Sequence, residues 1–484
     1  YGSDGSVCWY GTKNGATSGE GELVWYEPSS WQISVYLTRK TLPLWYTKGI
    51  VYQIFPDRFA RGADWRERVD AALSVKRNGP GRRLVEDWDT EPRYQKDASG
   101  DIVAWDFYGG TLSGIAEKLD YLEALGVTVL YLNPIFEAAS NHRYDTADYM
   151  KVDPMLGDTE AFQELCRAAE AHGMAIMLDG VFNHTGCDSR YFNKYGNYPE
   201  VGAFQSKDSP YRSWYEIDDS GEYASWWGVG DLPDVREEDP GYHEFICGKD
   251  GVVRHWLRLG ARGWRLDVAD ELPEDFIRDI SSAARAERAD AAVIGEVWED
   301  ASNKVAYGEP RHYLLGGELD SAMNYPFRGA VLDFLLNKVD AYETAARFEQ
   351  LYENYPHDAF YSALNLLGSH DRSRILTLLG GAPDPDTMDD NQRAAYRLSR
   401  DQMGLAKGRL WDAALLQMTM PGVPSIYYGD EAGLQGMTDP YNRAPFPWGH
   451  EDKDCFNICR NAIAIRKSLP VLVDGDFHPF AVNQ

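Results

Sequence analysis

The chain has 484 residues, 44% hydrophobic and 26% charged, room for one large domain with attachments or for two to three domains. Its formal net charge of −28 excludes the basic surfaces that draw nucleic acid or anionic membranes. No run is long and apolar enough to span a membrane. No signal-peptide pattern is read in these residues, and the start at Tyr1, without an initiator Met, reads as processed or trimmed.

Residues 1–40 alternate as β structure, in Glu22–Tyr26 and in Gln32–Tyr36, and read as the last strands of a sheet domain. Eight strand-like runs follow: Ile50–Phe55, Thr128–Asn133, Ala175–Asp179, Gly263–Val268, Ala292–Val297, Leu319–Tyr325, Asn365–Gly368 and Val423–Tyr428. Several are almost wholly apolar, as strands covered on both faces are. Helical stripes lie between them. Leu112, Ile115, Leu119 and Leu122 share a face that stops at Gly126; Phe162, Leu165, Cys166 and Ala169 share one that stops at Gly173; Val252, Trp256 and Leu259 precede Gly260. This alternation predicts an α/β fold, a (β/α)8 TIM barrel rather than an open doubly wound sheet.

Two stretches interrupt the pattern. Residues 63–105 are polar and rich in Arg, Asp and Glu, an excursion after the first strand. Residues 185–240 hold Tyr191, Phe192, Tyr195, Tyr211, Trp214, Tyr223, Trp226 and Trp227, too aromatic for disorder, and predict an inserted subdomain B beside the active face. The barrel is therefore expected over 41–184 and 241–469, with 470–484 starting a C-terminal β domain. The six cysteines form no CxxC pair or zinc spacing, and Cys166 reads as a buried free thiol. That usage favours a cytoplasmic location, with secretion or the cell surface as the alternative.

Three carboxylates end strand-like runs: Asp267, Glu296 and Asp371. In a parallel barrel the strand C-termini open onto one face, where catalytic groups collect. Acetal hydrolysis needs a proton donor for the leaving oxygen and a negative group at the oxocarbenium-like centre, and two acids in different environments supply both. Asp267 is the nucleophile candidate, with Arg265 two residues away on the same strand face to keep it ionised. Glu296 is the acid/base candidate; the charge of Asp371 would favour its protonated form. Asp371 and the adjacent His370 could grip neighbouring ring hydroxyls. His184 closes the third strand, His142 follows the second, and Tyr144 could stack on the same sugar.

These segments resemble the signature regions of glycoside hydrolase family 13, the α-amylase family. Asp-Gly-Val-Phe-Asn-His (179–184), Gly-Trp-Arg-Leu-Asp-Val (263–268), Gly-Glu-Val-Trp (295–298) and Ser-His-Asp (369–371) occur in the family's order over residues 45–470. The resemblance implies Asp267 as nucleophile, Glu296 as acid/base and Asp371 as transition-state stabiliser. It implies His142, Tyr144, His184, Arg265 and His370 around the ring being cleaved, with Trp298 shaping the leaving-group side. A retaining reaction would hold Asp267 and Glu296 about 5–5.5 Å apart.

Tyr52–Phe59, Ser140–Tyr149, Tyr427–Glu431 and Asp439–Arg443 bring the chain nearest the neopullulanase, cyclomaltodextrinase, maltogenic amylase and amylopullulanase group. That group carries an N-terminal β-sandwich, of which residues 1–40 would be the end, and often dimerises, so a homodimer is an expectation. Gly230–Val235 departs from the group's usual segment there. The implied activity is a retaining α-glucan hydrolase acting on α-1,4 and also α-1,6 bonds in starch, pullulan, cyclodextrins or maltooligosaccharides. The alternative is an α-glucanotransferase on the same scaffold. No cofactor is implied for the chemistry. A structural calcium is an expectation: Asn183 matches a residue of the site many α-amylases use, whereas Glu271 stands where they have a histidine, and Asp57 and Asp64 could serve another.

Overall fold

The computed structural model describes residues 5–13, 16, 18–37 and 43–482. The domain boundary expected at residue 40 lies outside the described residues. Eight parallel strands form the central sheet: β1 (Val51–Ile54), β2 (Val129–Leu132), β3 (Ala175–Gly180), β4 (Gly263–Leu266), β5 (Ala292–Gly295), β6 (Ser321–Ala322), β7 (Leu364–Leu366) and β8 (Val423–Tyr427). Their order is β6-β5-β4-β3-β2-β1-β8-β7. A parallel bridge between Met323 and Leu364, with Asn324 N–H donating to the Leu364 carbonyl at 2.8 Å, joins β6 to β7 and closes the barrel.

The strands are buried on both faces, and the two-residue period divides their side chains into two layers. Val51, Val129, Tyr131, Met177, Ile294, Leu366 and Val423 point inward and pack as one cluster. Tyr52, Ile54, Leu130, Leu132, Ile176, Leu178 and Trp264 point outward into the helical layer. The helices bury the predicted stripes. Thr159–Ala171 buries Phe162, Leu165, Cys166 and Ala169, and Asp158 caps it by accepting from Ala161 N–H. The stripe over 112–122 is carried by two short helices, Leu112–Ala116 and Leu119–Leu125, the second ended by Gly126 at φ 105°. Leu259 is only half-buried.

The polar excursion is folded: a helix, Trp65–Ser74, and a three-stranded sheet of Gly81–Leu84, Gln95–Lys96 and Ile102–Phe107. Residues 185–240 are irregular, held by aromatic contacts such as Phe192–Tyr223 and Tyr191–Trp214. At the N-terminus Trp9–Thr12 pairs antiparallel with Gly21–Val24. Gln32–Tyr36, expected as a strand, has no ladder. Gln32 and Ser34 bond instead to the Asn354 carbonyl on the barrel surface, which leaves Ile33 and Val35 exposed. Val471–Asp474 is a helical turn. All six cysteines are free thiols, and among the described residues no helix is long and apolar enough to cross a membrane.

Candidate active site

The inward-facing series changes character as it climbs the barrel. Apolar at the base, it becomes Gln53, Asn133, Asp179, Arg265, Asp267 and Glu296 near the strand C-termini. Asp267 directly follows β4 and Glu296 directly follows β5, each with its N–H bonded to the neighbouring strand (Gly180 O at 3.0 Å, Leu266 O at 2.9 Å). At Gly295, before Glu296, a Cβ would lie 2.4 Å from Leu319 Cδ1, so a larger residue there would push the Leu319 side chain aside. The carboxylates open into a cavity of about 690 Å³ lined also by His142, Tyr144, His184, Trp298, His370, Asp371 and Arg443.

Arg265 does not line this cavity. It is fully buried beneath it and holds the acids together: Nη1 lies 2.7 Å from both Asp179 and Asp267, and Nη2 lies 2.8 Å from Glu296. Glu296 also accepts from Val268 N–H and from Trp298 Nε1, both at 3.0 Å. The Trp298 ring stacks on Tyr325, 4.8 Å away, and the Arg372 guanidinium contacts both rings, 3.9 Å from Trp298 and 5.6 Å from Tyr325. Val268 adopts φ 40°, a conformation a β-branched residue enters only under constraint.

The expectation that Arg265 keeps Asp267 ionised needs correction. Burial raises the Asp267 carboxyl well above the usual carboxylate range; Arg265 opposes this, while Glu296 and Asp179 add to it. Asp179 is raised too, by burial first. At Asp267 and Asp179 burial therefore outweighs the opposing guanidinium.

Asp371 follows β7, two strands round the barrel from β5. His370 Nε2 is 3.1 Å from it, and Arg443 Nη2 is 3.4 Å away. Burial raises its carboxyl, with Arg443 and Arg265 opposing. His370 stacks on Tyr144 at 5.1 Å, and its Nδ1 contacts Gln53 Nε2 at 2.9 Å. Tyr144 donates to Asp179 at 2.7 Å. Burial pushes His142 and His370 well below the ordinary imidazole range and His184 down to about 4, so all three are neutral near pH 7. His184 Nε2 is buried without a hydrogen-bond partner.

The cleft thus gathers eight of the nine residues singled out from sequence, with Arg265 below its floor. Asp179, Gln53, Val268 N–H, Tyr94, Asp439 and Arg443 were missed. Asp179 carried a readable signal, an acid ending an apolar strand as Asp267 does; the others meet the site only through the fold.

The residues named for calcium are otherwise engaged. Asp57 contacts Arg58 at 2.8 Å and accepts from Tyr108 and Gly109 N–H; Asp64 accepts from Ser113 and Arg68. Glu271 accepts from Trp227 Nε1 at 3.0 Å and from the Tyr307 hydroxyl, and Asn183 Nδ2 faces Asp234 at 3.4 Å. Among the described residues, none of these acids belongs to a cluster of three carboxylate, imidazole or thiolate groups close enough to share a metal ion.

The alpha-amylase catalytic domain family matches residues 53–468. The amylopullulanase of Thermoanaerobacter thermohydrosulfuricus is 40% identical over 519 residues, covering 99% of this chain and 34% of its own length. Neopullulanase 2 of Thermoactinomyces vulgaris is 34% identical over 447 residues, covering 90% and 65%. The chain therefore spans about a third of the length of the amylopullulanase. Among solved structures, the ligand-free cyclic α-maltosyl-(1→6)-maltose hydrolase of Arthrobacter globiformis superposes with a TM-score of 0.72 at 30% identity, covering 90% of this chain and 86% of that one. The type III pullulan hydrolase of Thermococcus kodakarensis gives 0.75 at 28% identity, covering 90% and 72%.

Proposed function

Since the chain belongs to glycoside hydrolase family 13, the α-amylase family, we propose that it hydrolyses α-1,4-glucosidic bonds, and α-1,6 bonds as well, by double displacement with retention. The observation that carries this reading is the single Arg265 guanidinium bound to both Asp267 and Glu296. It ties the two acids to one point at the cavity floor, close enough to act on one glycosidic bond. Asp267 attacks the anomeric carbon from below. Glu296 gives a proton to the leaving oxygen, then takes one from the water that releases the glycosyl-enzyme. Asp371, against His370 and Arg443, grips ring hydroxyls as the ring flattens. Neutral His142, His184 and His370 exchange hydrogen bonds with hydroxyls without adding positive charge beside a cationic transition state.

The hydrolase names of both relatives support the substrate class. No cofactor is needed for family 13 catalysis.

A glucanotransferase is the second reading, and Trp298 is what favours it. Its ring, held against Glu296 and still 39% exposed, offers an apolar face to an acceptor sugar. Trp298→Ala should then lower the ratio of transfer to hydrolysis products; an unchanged ratio removes this reading.

The primary test is reducing-sugar release from starch, pullulan and β-cyclodextrin, with Asp267→Asn as control. Activity on pullulan or cyclodextrin that falls by about 10³-fold or more in the control is the expected result. A folded protein active on none of the three overturns the proposal.

A further inference from the structure

A line of hydrogen bonds runs beneath the cleft from Asp179 to Asp371. Asp179 Oδ2 accepts from the hydroxyls of Tyr131 at 2.6 Å and Tyr144 at 2.7 Å. The Tyr144 oxygen, its proton engaged there, accepts from Asn133 Nδ2 at 2.8 Å. That turns the carbonyl end of the Asn133 amide toward Gln53, whose Nε2 donates to Asn133 Oδ1 at 3.1 Å. The same nitrogen lies 2.9 Å from His370 Nδ1. An amide nitrogen carries two donors and no acceptor. His370 Nδ1 must therefore accept, which leaves the ring proton on Nε2, 3.1 Å from Asp371 Oδ2.

Gln53 is the branch point of this line. It stands on β1, between β8 and β2, with Asn133 directly past the end of β2 and His370 beyond β7. Gln53 and Asn133 are buried, and neither lines the cleft, so neither meets the sugar. Burial keeps the His370 ring neutral, so only one of its nitrogens holds a proton. Among the described residues no other donor meets His370 Nδ1. The opposite tautomer would set the Nδ1 proton against the N–H of Gln53 and turn a bare Nε2 toward the Asp371 carboxyl. Both contacts would be lost inside a site too dry for water to replace them.

We propose that Gln53 is a positioning residue: one of its N–H groups fixes His370 as the Nε2–H tautomer and aims that proton at Asp371, while the other orients Asn133 and Tyr144 toward Asp179. The tautomer follows from the hydrogen bonds; its consequence for turnover rests on the α-glucan reading above. One buried amide thereby ties Asp371 to the acid that shares Arg265 with the nucleophile.

Nitrogen NMR of protein isotope-labelled at histidine reads the tautomer directly, with the His370 signals identified by their loss in His370→Asn. In the parent, Nδ1 should resonate as a bare nitrogen and Nε2 as a protonated one. Gln53→Met, close in size but without a donor, should let the Nδ1–H form appear. The same variant should lower kcat/KM on maltooligosaccharides by roughly 10- to 100-fold, chiefly through kcat, since the substituted side chain does not touch substrate. Gln53→Leu serves the same purpose if Gln53→Met misfolds. A parent with Nδ1–H at His370, or a folded Gln53 variant that keeps the Nε2–H form, overturns the proposal whatever the activity. In an active parent, a shifted tautomer with unchanged kcat/KM overturns it too. The tautomer is read without turnover. A parent inactive on every α-glucan, yet holding an Nε2–H His370 that Gln53→Met releases, would sink the functional reading and leave the assignment of Gln53 standing.

Discussion

At the residue scale, the site is organised by sharing. Arg265 serves three carboxylates, and Glu296 is met by Arg265, Val268 N–H and Trp298 Nε1 at once. The φ of 40° at Val268 costs on the order of 1–3 kcal/mol and aims its N–H at Glu296. Attack needs ionised Asp267, whose carboxyl is raised by burial. Activity should therefore fall as pH drops through that raised value, placing the acid limb of the kcat/KM profile above pH ~4. An acid limb at or below pH ~4 would contradict the desolvated cluster. Outside the site, Glu237 has a buried Oε1 without a partner, and burial raises its carboxyl to about 8. The folded state keeps a proton that the unfolded chain loses near 4.5. Its contribution therefore erodes stability as pH rises from about 4.5 to about 8. Glu237→Gln should remove that slope, gaining roughly 2–4 kcal/mol over the parent at pH ~8 and little at pH ~4 in denaturant titrations. Equal effects at both pH values would refute the buried-acid account.

At the element scale, the helices show how much of the barrel is local. The helix Thr159–Ala171 starts where Asp158 can cap it, with Phe162, Leu165, Cys166 and Ala169 one turn apart against the barrel. Asp158→Ala should cost about 1 kcal/mol in unfolding free energy. Leu165→Ala, at a site with no exposure, should cost about 3 kcal/mol. Equal losses would mean that the cap, which also meets Arg68 at 3.1 Å, holds the excursion as well as the helix. Strand β6 marks where local reading stops. The expected run Leu319–Tyr325 is cut to Ser321–Ala322. At one end the Asp320 side chain takes the Val293 N–H at 2.8 Å in place of a ladder bond. At the other, Asn324 accepts from Phe327 N–H and starts the helix Tyr325–Leu335. Both are side-chain captures of backbone groups, which a hydrophobic pattern does not record.

At the scale of the whole molecule, the insertions and the barrel act on one another through Tyr94. Tyr94→Phe removes only the hydroxyl bonded to Asp439 and loosens the Asp439–Arg443–Asp371 series. We expect kcat/KM on maltooligosaccharides to fall about tenfold with a stability change of about 1 kcal/mol or less. A large loss of stability with unchanged kcat/KM would make the contact purely structural.

The sequence by itself determined the place of the eight strands, though not the extent of β6, the stripes of the main helices and the acids at the strand ends. Each rests on a short period or a local motif: two residues for strands, 3.6 for helices, an acid closing an apolar run. The chain alone did not disclose that one arginine would lie under three carboxylates and leave Asp267 desolvated. Nor did it show that a polar excursion would fold into a sheet or that Gln32–Tyr36 would find no strand partner. Those outcomes depend on which groups meet across tens or hundreds of residues and on how much water is left between them. Burial and shared charge are properties of the closed barrel, and no local pattern encodes them.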